Sequence, residues 1–286
     1  MIQGYQNVSV VGAGTMGNGI AHVFAQSGYS VTLIDVSQER LNAAIKTITG
    51  NLDRQVKKGT LTEDAKTQAL ANIKTVSSIQ EGVKGSNLVV EAATENIELK
   101  LKIFRDLDSY APANAILATN TSSISITQIG AVTKRSHAVI GMHFMNPVPM
   151  MKLVEIIKGY DTSATCLETI LTISRDLGKE PVEVSDYPGF VANRILIPMI
   201  NEAICTLYEG IATKESIDSV MKLGMAHPMG PLALADFIGL DVVLAILRVL
   251  HEGFGNPKFA PCPLLVNMVA AGHLGKKSGR GFYSYS

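Results

Sequence analysis

The sequence lacks an apolar run long enough to cross a membrane, an excess of either charge, and the cysteines for a disulfide framework. A spanning helix needs roughly 20 consecutive apolar residues. Phe190 to Ile200 is interrupted by Asn193-Arg194, and Leu240 to Leu250 is short and carries Asp241 and Arg248. Lys+Arg and Asp+Glu are equal at 25 each, so no global field draws the chain to nucleic acid or to a membrane surface, and an anionic ligand must be held by a local patch. The 3 cysteines, Cys166, Cys205 and Cys262, are widely spaced with no CxxC pair. That argues against disulfides and a zinc site and fits a reducing compartment, with the thiols acting as small buried hydrophobes. No HxH, HExxH or carboxylate cluster points to a metal. The first apolar run leads into a glycine loop rather than a signal-peptide cleavage site, so a cytoplasmic location is expected.

What remains is an ordinary soluble composition, 47% hydrophobic and 17% charged over 286 residues, long enough for about two domains. Asn7 to Val11 reads as a strand, Thr15 to Gln26 as a helix ended by Gly28, and Ser30 to Asp35 as a second strand. Amphipathic stretches at Gln38 to Lys58, Thr62 to Asn72 and Glu98 to Tyr110 read as helices. Leu88 to Glu91, Ala115 to Thr119 and Ala138 to Met142 read as further strands. Strands that are apolar on both faces, alternating with helices, indicate a parallel sheet covered on each side and joined by right-handed crossovers. After about Val184 only helices are expected: Phe190 to Glu209, Lys214 to Leu223, Pro231 to His251 and Pro263 to Ala271, with Pro198 a possible kink in the first. The expected fold is α/β: a Rossmann-type, mostly parallel sheet domain over residues 1–186, then a smaller all-helical domain over 187–286, divided near Asp186-Tyr187-Pro188-Gly189.

Gly12-Ala13-Gly14-Thr15-Met16-Gly17 fits GxGxxG. The pattern alone is weak; it gains meaning here because it follows a strand, opens a helix and sits in a βαβ unit. Gly12 permits the sharp turn, Gly14 lets a pyrophosphate approach the backbone, and Gly17 lets helix and strand pack closely. The helix start at Thr15 and Met16 offers N–H groups and a positive dipole end to phosphates. Asp35, at the end of the second strand, suits the adenine ribose hydroxyls and repels a 2′-phosphate, favouring NAD over NADP, with Arg40 the nearest residue that favours the phosphate. A ligand-free glycine turn and a methyltransferase with a similar loop are the competing readings.

Gly141-Met142-His143-Phe144-Met145-Asn146-Pro147 ends one apolar run, and after Pro149 a second, Leu153 to Ile157, contains Glu155. Adjacent strands on either side of that break would bring His143 and Glu155 within hydrogen-bond reach. A histidine held by a carboxylate is the usual general acid/base near neutral pH, and a proton carrier beside a hydride carrier points to a dehydrogenase. The residues alone also allow plainer roles: a satisfied core histidine, an edge-strand carboxylate, a capping Ser122, a helix-start Asn193. His22, His137, His227, His251 and His273 have no comparable setting, His227 lying in a Pro/Gly turn.

The chain resembles the L-3-hydroxyacyl-CoA dehydrogenase family nearly end to end. The matching segments are Val11 to Gly17, Asn120-Thr121-Ser122-Ser123, Gly141 to Pro147, Asp186 to Arg194, His227 to Pro231, and the ending Gly275 to Tyr283. Met145 stands where the family usually has phenylalanine, which bears on the acyl pocket. The resemblance implies His143 as base in oxidation and acid in reduction, Glu155 as its orienting group, and Ser122 and Asn193 as hydrogen-bond partners of the substrate 3-oxygen. It implies that Ala93, Glu95, Lys100, Ser122, Asn146 and Lys277 lie along the nicotinamide half of NAD, and that Lys57 and Lys58 mark a basic spot for CoA phosphates. Met142, Met145, Met150 and Met151 are candidates for an acyl wall or for core. The expected activity is NAD-dependent interconversion of a short (S)-3-hydroxyacyl-CoA and its 3-oxo form, by a homodimer joined through the second domain, with the site between the domains. A free 3-hydroxy acid as substrate, and a non-catalytic NAD-binding protein, are the alternatives.

Overall fold

Among the residues that the computed structural model describes, 4–285, eight strands form one sheet. They are β1 (Asn7–Val11), β2 (Ser30–Ile34), β3 (Ile73–Val76), β4 (Leu88–Glu91), β5 (Ile116–Thr119), β6 (Val139–Phe144), β7 (Leu153–Lys158) and β8 (Glu180–Ser185). Their order is β3-β2-β1-β4-β5-β6-β7-β8. All neighbours pair in parallel except β6 and β7. β1 pairs with both β2 and β4, so the strand order reverses there, and the crevice beyond the strand ends is where open α/β sheets bind ligands.

The central strands are buried on both faces because their side chains are mostly apolar: β4, β5 and β6 are buried at every position, with Glu91, Thr119 and His143 the polar exceptions toward their C-terminal ends. Helices cover them. Gln38–Lys57 shows how the sequence makes one: Ser37 caps its N-terminus by accepting the Arg40 N–H at 3.3 Å, and Leu41, Ala44, Ile48 and Leu52 form its one buried stripe. Phe24 and Tyr29 meet edge to face at 5.3 Å in the core between this layer and the sheet, each burial worth roughly 1.5–3 kcal/mol. Two strands escape the apolar-run reading. β3 (sequence IKTV) is half-exposed, and β8 (EPVEVS) is mostly exposed; both are sheet edges, where polar side chains face water.

The chain divides into two compact units, Met1–Asp186 and Tyr187–Ser286. The second is helical: Ala192–Tyr208, Lys214–Gly224, Pro231–Ile238, Leu240–Phe254 and Pro263–Ala270, packed around Ile197, Ile200, Ile204, Leu244, Leu247 and Leu250. The single helix expected over Pro231 to His251 is two. Gly239, at φ +102°, breaks it, and the Leu240 N–H turns to the Leu274 carbonyl at 3.2 Å. The first of these helices, Ala192–Tyr208, runs on through Pro198. Asp236 pins the C-terminal segment by accepting the Phe282 and Tyr283 N–H groups, both at 2.9 Å, and the Tyr285 hydroxyl at 3.0 Å. No described helix is long and apolar enough to cross a membrane.

Candidate active site

The glycine loop leaves β1 with Gly12 at φ +102°. A side chain at Gly12 would strike the Ala92–Ala93 backbone, and one at Gly17 would overlap the Gly12 carbonyl, so strand, loop and helix close to contact only with bare backbone. Gly14 is different. A Cβ there would meet nothing within 4 Å, and the helix Thr15–Gln26 that it precedes has no side-chain cap. The result is an open backbone cradle in front of a helix N-terminus, which fits a pyrophosphate. Thr15 is exposed at the cradle, while Met16 packs partly into the core. Asp35 stands at the end of β2, one oxygen accepting the Ala13 N–H at 2.9 Å and the other the Ser37 N–H at 3.0 Å. It therefore holds the glycine loop and the start of the next helix to the end of β2.

His143 is the fifth residue of β6, buried in an otherwise apolar strand, and the chain then reverses through a cis Asn146–Pro147 bond into β7. The antiparallel register sets His143 opposite Glu155, with Nδ1 2.8 Å from Oε2. The imidazole is 6% exposed and the carboxylate residue 1%. A carboxylate only accepts, so Nδ1 donates; Nε2 of the neutral ring then carries the lone pair. That lone pair faces Ser122, whose Oγ is 3.1 Å away and donates to it. Ser122 sits just past the end of β5, where Glu95 accepts its N–H at 3.0 Å and the Thr121 hydroxyl at 2.7 Å. Glu155, His143 and Ser122 thus form one line of hydrogen bonds past the C-terminal ends of the parallel strands, an arrangement through which Nε2 can exchange a proton.

The other candidate residues fall in several settings. Ala93, Glu95 and Asn146 are exposed at the same edge of the first unit. Lys100 is 1% exposed, its ammonium paired with Glu91 and 3.3 Å from the Thr119 hydroxyl. Met142 is fully buried in the core cluster, whereas Met150 is 74% exposed. Lys57 and Lys58 end the long helix and are both exposed. Lys58 lines a cleft of about 990 Å³ together with Arg54, Lys152 and Lys179. Lys179 donates to the Val148 and Met151 carbonyls at 2.5 and 2.8 Å, holding the break between β6 and β7, and burial pushes its ammonium below the usual lysine range. In the second unit Asn193 is the second residue of its helix, after Gly189 and Phe190 at φ +75° and +52°. The neighbouring Arg194 guanidinium lies over Phe254 and Phe259, at 4.8 and 4.5 Å. Lys277 is ion-paired with Asp241 at 2.7 Å. Burial pushes the Cys166 thiol up to about 12, and the Cys205 thiol likewise up to about 12, so neither is a nucleophile at neutral pH.

Sequence reading missed Glu91, Thr119 and Thr121, which support this edge from within. The available signal was Glu91 itself, a charge closing the apolar run Leu88-Val89-Val90 and fully buried in the structure.

Two family models cover the chain: 3-hydroxyacyl-CoA dehydrogenase, NAD binding domain, over residues 7–187, and 3-hydroxyacyl-CoA dehydrogenase, C-terminal domain, over residues 189–285. The chain is 52% identical over 280 residues to a probable 3-hydroxybutyryl-CoA dehydrogenase of Bacillus subtilis, covering 98% of this chain and 97% of that protein. It is 53% identical over 280 residues to the 3-hydroxybutyryl-CoA dehydrogenase of Bradyrhizobium diazoefficiens, covering 98% and 95%. Among solved structures, the (S)-3-hydroxybutyryl-CoA dehydrogenase of Ralstonia eutropha superposes with a TM-score of 0.96 at 52% identity, covering 99% of each chain.

Proposed function

Because this chain belongs to the 3-hydroxyacyl-CoA dehydrogenase family, whose members are NAD-dependent oxidoreductases, we propose that it interconverts (S)-3-hydroxybutyryl-CoA and acetoacetyl-CoA. The observation that carries the reading is the buried line Glu155–His143–Ser122, in which His143 Nε2 meets the Ser122 hydroxyl on the edge that also bears the glycine cradle. In oxidation His143 takes the O3 proton on Nε2, and Glu155 stabilises the imidazolium through the Nδ1–H bond. In reduction the same proton returns to O3. Ser122 and Asn193 hydrogen-bond the 3-oxygen as charge develops on it. NAD, when bound, supplies the hydride acceptor in oxidation and the hydride donor in reduction. Gly12, Gly14, Thr15, Met16 and Gly17 receive its pyrophosphate and Asp35 its adenine ribose. Ala93, Glu95, Lys100, Asn146 and Lys277 serve its nicotinamide half; two of the three Lys100 N–H bonds are already used by Glu91 and Thr119.

The acyl-CoA enters with its phosphates toward the basic cleft of the first unit, where Lys58 has Arg54 and Lys152 as neighbours and Lys57 stands beside it. Four cations against one Asp176 in that lining supply the local patch that a neutral chain needs. The second unit carries an apolar cleft of about 430 Å³ lined by Met199, Ile217, Val220 and Met221, with Ile211 and Leu223 exposed at 69% and 87%. Such a surface favours a partner, and the enzyme works as a cytoplasmic homodimer joined there; a monomeric mass by light scattering would refute that part.

The test is NADH consumption with acetoacetyl-CoA, set against NADPH and against free acetoacetate. Turnover with NADH and the thioester, abolished in His143→Ala, is expected. Normal turnover by that variant sinks the mechanism, and activity indifferent to CoA sinks the substrate assignment.

A further inference from the structure

Glu91 is a carboxylate in the middle of an eight-stranded sheet, paired by register with Val11 on one side and Thr119 on the other, and fully buried. A charge in that position is strongly unfavourable unless every lone pair is answered. Each oxygen answers to a different segment. Oε2 accepts the Thr119 hydroxyl at 2.8 Å and pairs with the Lys100 ammonium. Oε1 turns away from the counter-ion and accepts the Ala93 and Thr94 N–H groups, at 2.8 and 3.4 Å, in the turn that leaves β4.

Those contacts close a ring with the reacting groups on its rim. The turn fixed by Oε1 leads directly to Glu95, whose two oxygens accept the Thr121 hydroxyl at 2.7 Å and the Ser122 N–H at 3.0 Å. The segment leaving β5 is fixed by the other oxygen, through Thr119, whose Oγ1 in turn accepts the Thr121 N–H at 3.3 Å. Both chain segments that meet at Ser122 therefore depend on the one carboxylate. Ser122 Oγ stands 3.1 Å from His143 Nε2.

We propose that Glu91, with Lys100 as its counter-ion, is a positioning residue for the reaction: it sets the two segments that hold Ser122 against His143. This rests on the reading that Ser122 and His143 face the reacting oxygen. A purely structural pair would need only to neutralise itself, and buried pairs replaced by well-packed neutral residues are often as stable as before. Here one oxygen is spent on the turn instead.

The experiment uses the full-length chain. Glu91→Asp keeps the charge balance with Lys100 but is one methylene too short to reach the ammonium and the Ala93 and Thr94 N–H groups together. The expected result is a kcat for acetoacetyl-CoA reduction lowered on the order of 10- to 100-fold, as for a misplaced catalytic group, with KM for the thioester nearly unchanged. Amide hydrogen exchange should quicken at Ala93, Thr94 and Ser122. Wild-type kcat, or unchanged exchange at Ser122, overturns the proposal. If Glu91→Asp does not fold, Thr119→Val, which removes no charge but the hydroxyl that joins Glu91, Lys100 and the Thr121 N–H, is expected to lower kcat several-fold at constant KM for the thioester, and a normal kcat overturns the proposal. Should the wild-type chain not reduce acetoacetyl-CoA at all, the activity reading fails, and exchange at Ser122 still decides what Glu91 holds.

Discussion

His143 and Glu155 are directly opposed residues of an antiparallel pair, β6 and β7, and their side chains meet at 2.8 Å inside a sheet that is otherwise parallel. The reversal at Asn146 to Met151 makes this possible. Had the chain crossed over in the usual way, β7 would run the other way and its register with β6 would be set by a distant helix. A two-strand hairpin fixes the carboxylate against the ring by backbone register alone.

Glu155→Gln tests what the charge does. Glutamine preserves the size of the group and an acceptor for Nδ1–H but cannot stabilise the imidazolium that forms when Nε2 takes the proton. The expected kcat is lower by roughly 100-fold or more, the usual share of general acid/base catalysis, with NADH affinity unchanged in a fluorescence titration. A kcat within twofold of the parent would falsify the orienting role.

Asp35→Ser tests cofactor choice. Both carboxylate oxygens hold backbone N–H groups, of Ala13 and Ser37, and hydrogen bonds to charged groups are worth about 1.5–3 kcal/mol each. The variant should melt at a lower temperature, bind NADH on the order of tenfold more weakly, and discriminate less against NADPH. Unchanged preference for NADH in the steady-state assay removes Asp35 from that role.

Where apolar periodicity carried the information, the sequence was legible. β1, the glycine loop, β2 and the pair β6 and β7 could be read because their burial is written in continuous runs and their ends in glycine and proline. The edges were not. β3 and β8 expose Lys74, Glu180 and Glu183 to water and lack any such run. The helix break at Gly239 was hidden because Pro231 to His251 is apolar on both sides of it; only the positive φ, required by the Leu274 contact, separates the two helices. At the site, His143 and Glu155 are near in sequence and were readable as a pair. Glu91, Glu95, Thr119 and Ser122 come together from the exits of two strands, a juxtaposition that no local pattern encodes.

His22 makes stability depend on pH. It is completely buried in the helix Thr15–Gln26, with Nε2 2.9 Å from Gln26 Oε1 and Nδ1 without a hydrogen-bond partner. Burial, foremost, and the Lys179 charge hold its pKa below 6.5, against an opposing bond to Gln26. The folded state therefore resists protonation while the unfolded chain accepts it. Stability should be unaffected by this residue above pH 6.5 and fall as pH drops below it, by up to about 1.4 kcal/mol per pH unit until the folded-state value is passed. Urea unfolding of the parent and of His22→Phe at pH 7.5 and 5.5 measures it; identical losses on acidification in both would exclude His22 as the source.

In the second unit the corresponding dependence lies at alkaline pH. Asp236, 1% exposed, holds the end of the chain through the Phe282 and Tyr283 N–H groups and the Tyr285 hydroxyl. Burial first, then the bond to Asp236, pushes the Tyr285 phenol up to about 12. The unfolded phenol ionises near pH 10 while the folded one keeps its proton, so the contribution of Tyr285 is complete below pH 10 and is lost between about 10 and 12. Tyr285→Phe should give a shallower loss of stability over that window. Asp236→Asn should cost about 1.5–3 kcal/mol at neutral pH by weakening charge-assisted bonds to three donors. Because the same segment carries Lys277, the Asn variant should also free that lysine from its place beside Asp241 and weaken NADH binding. A melting temperature and an NADH affinity equal to those of the parent would show that the C-terminal segment is held by its other contacts, such as the 2.6 Å bond from Lys214 to the Phe282 carbonyl.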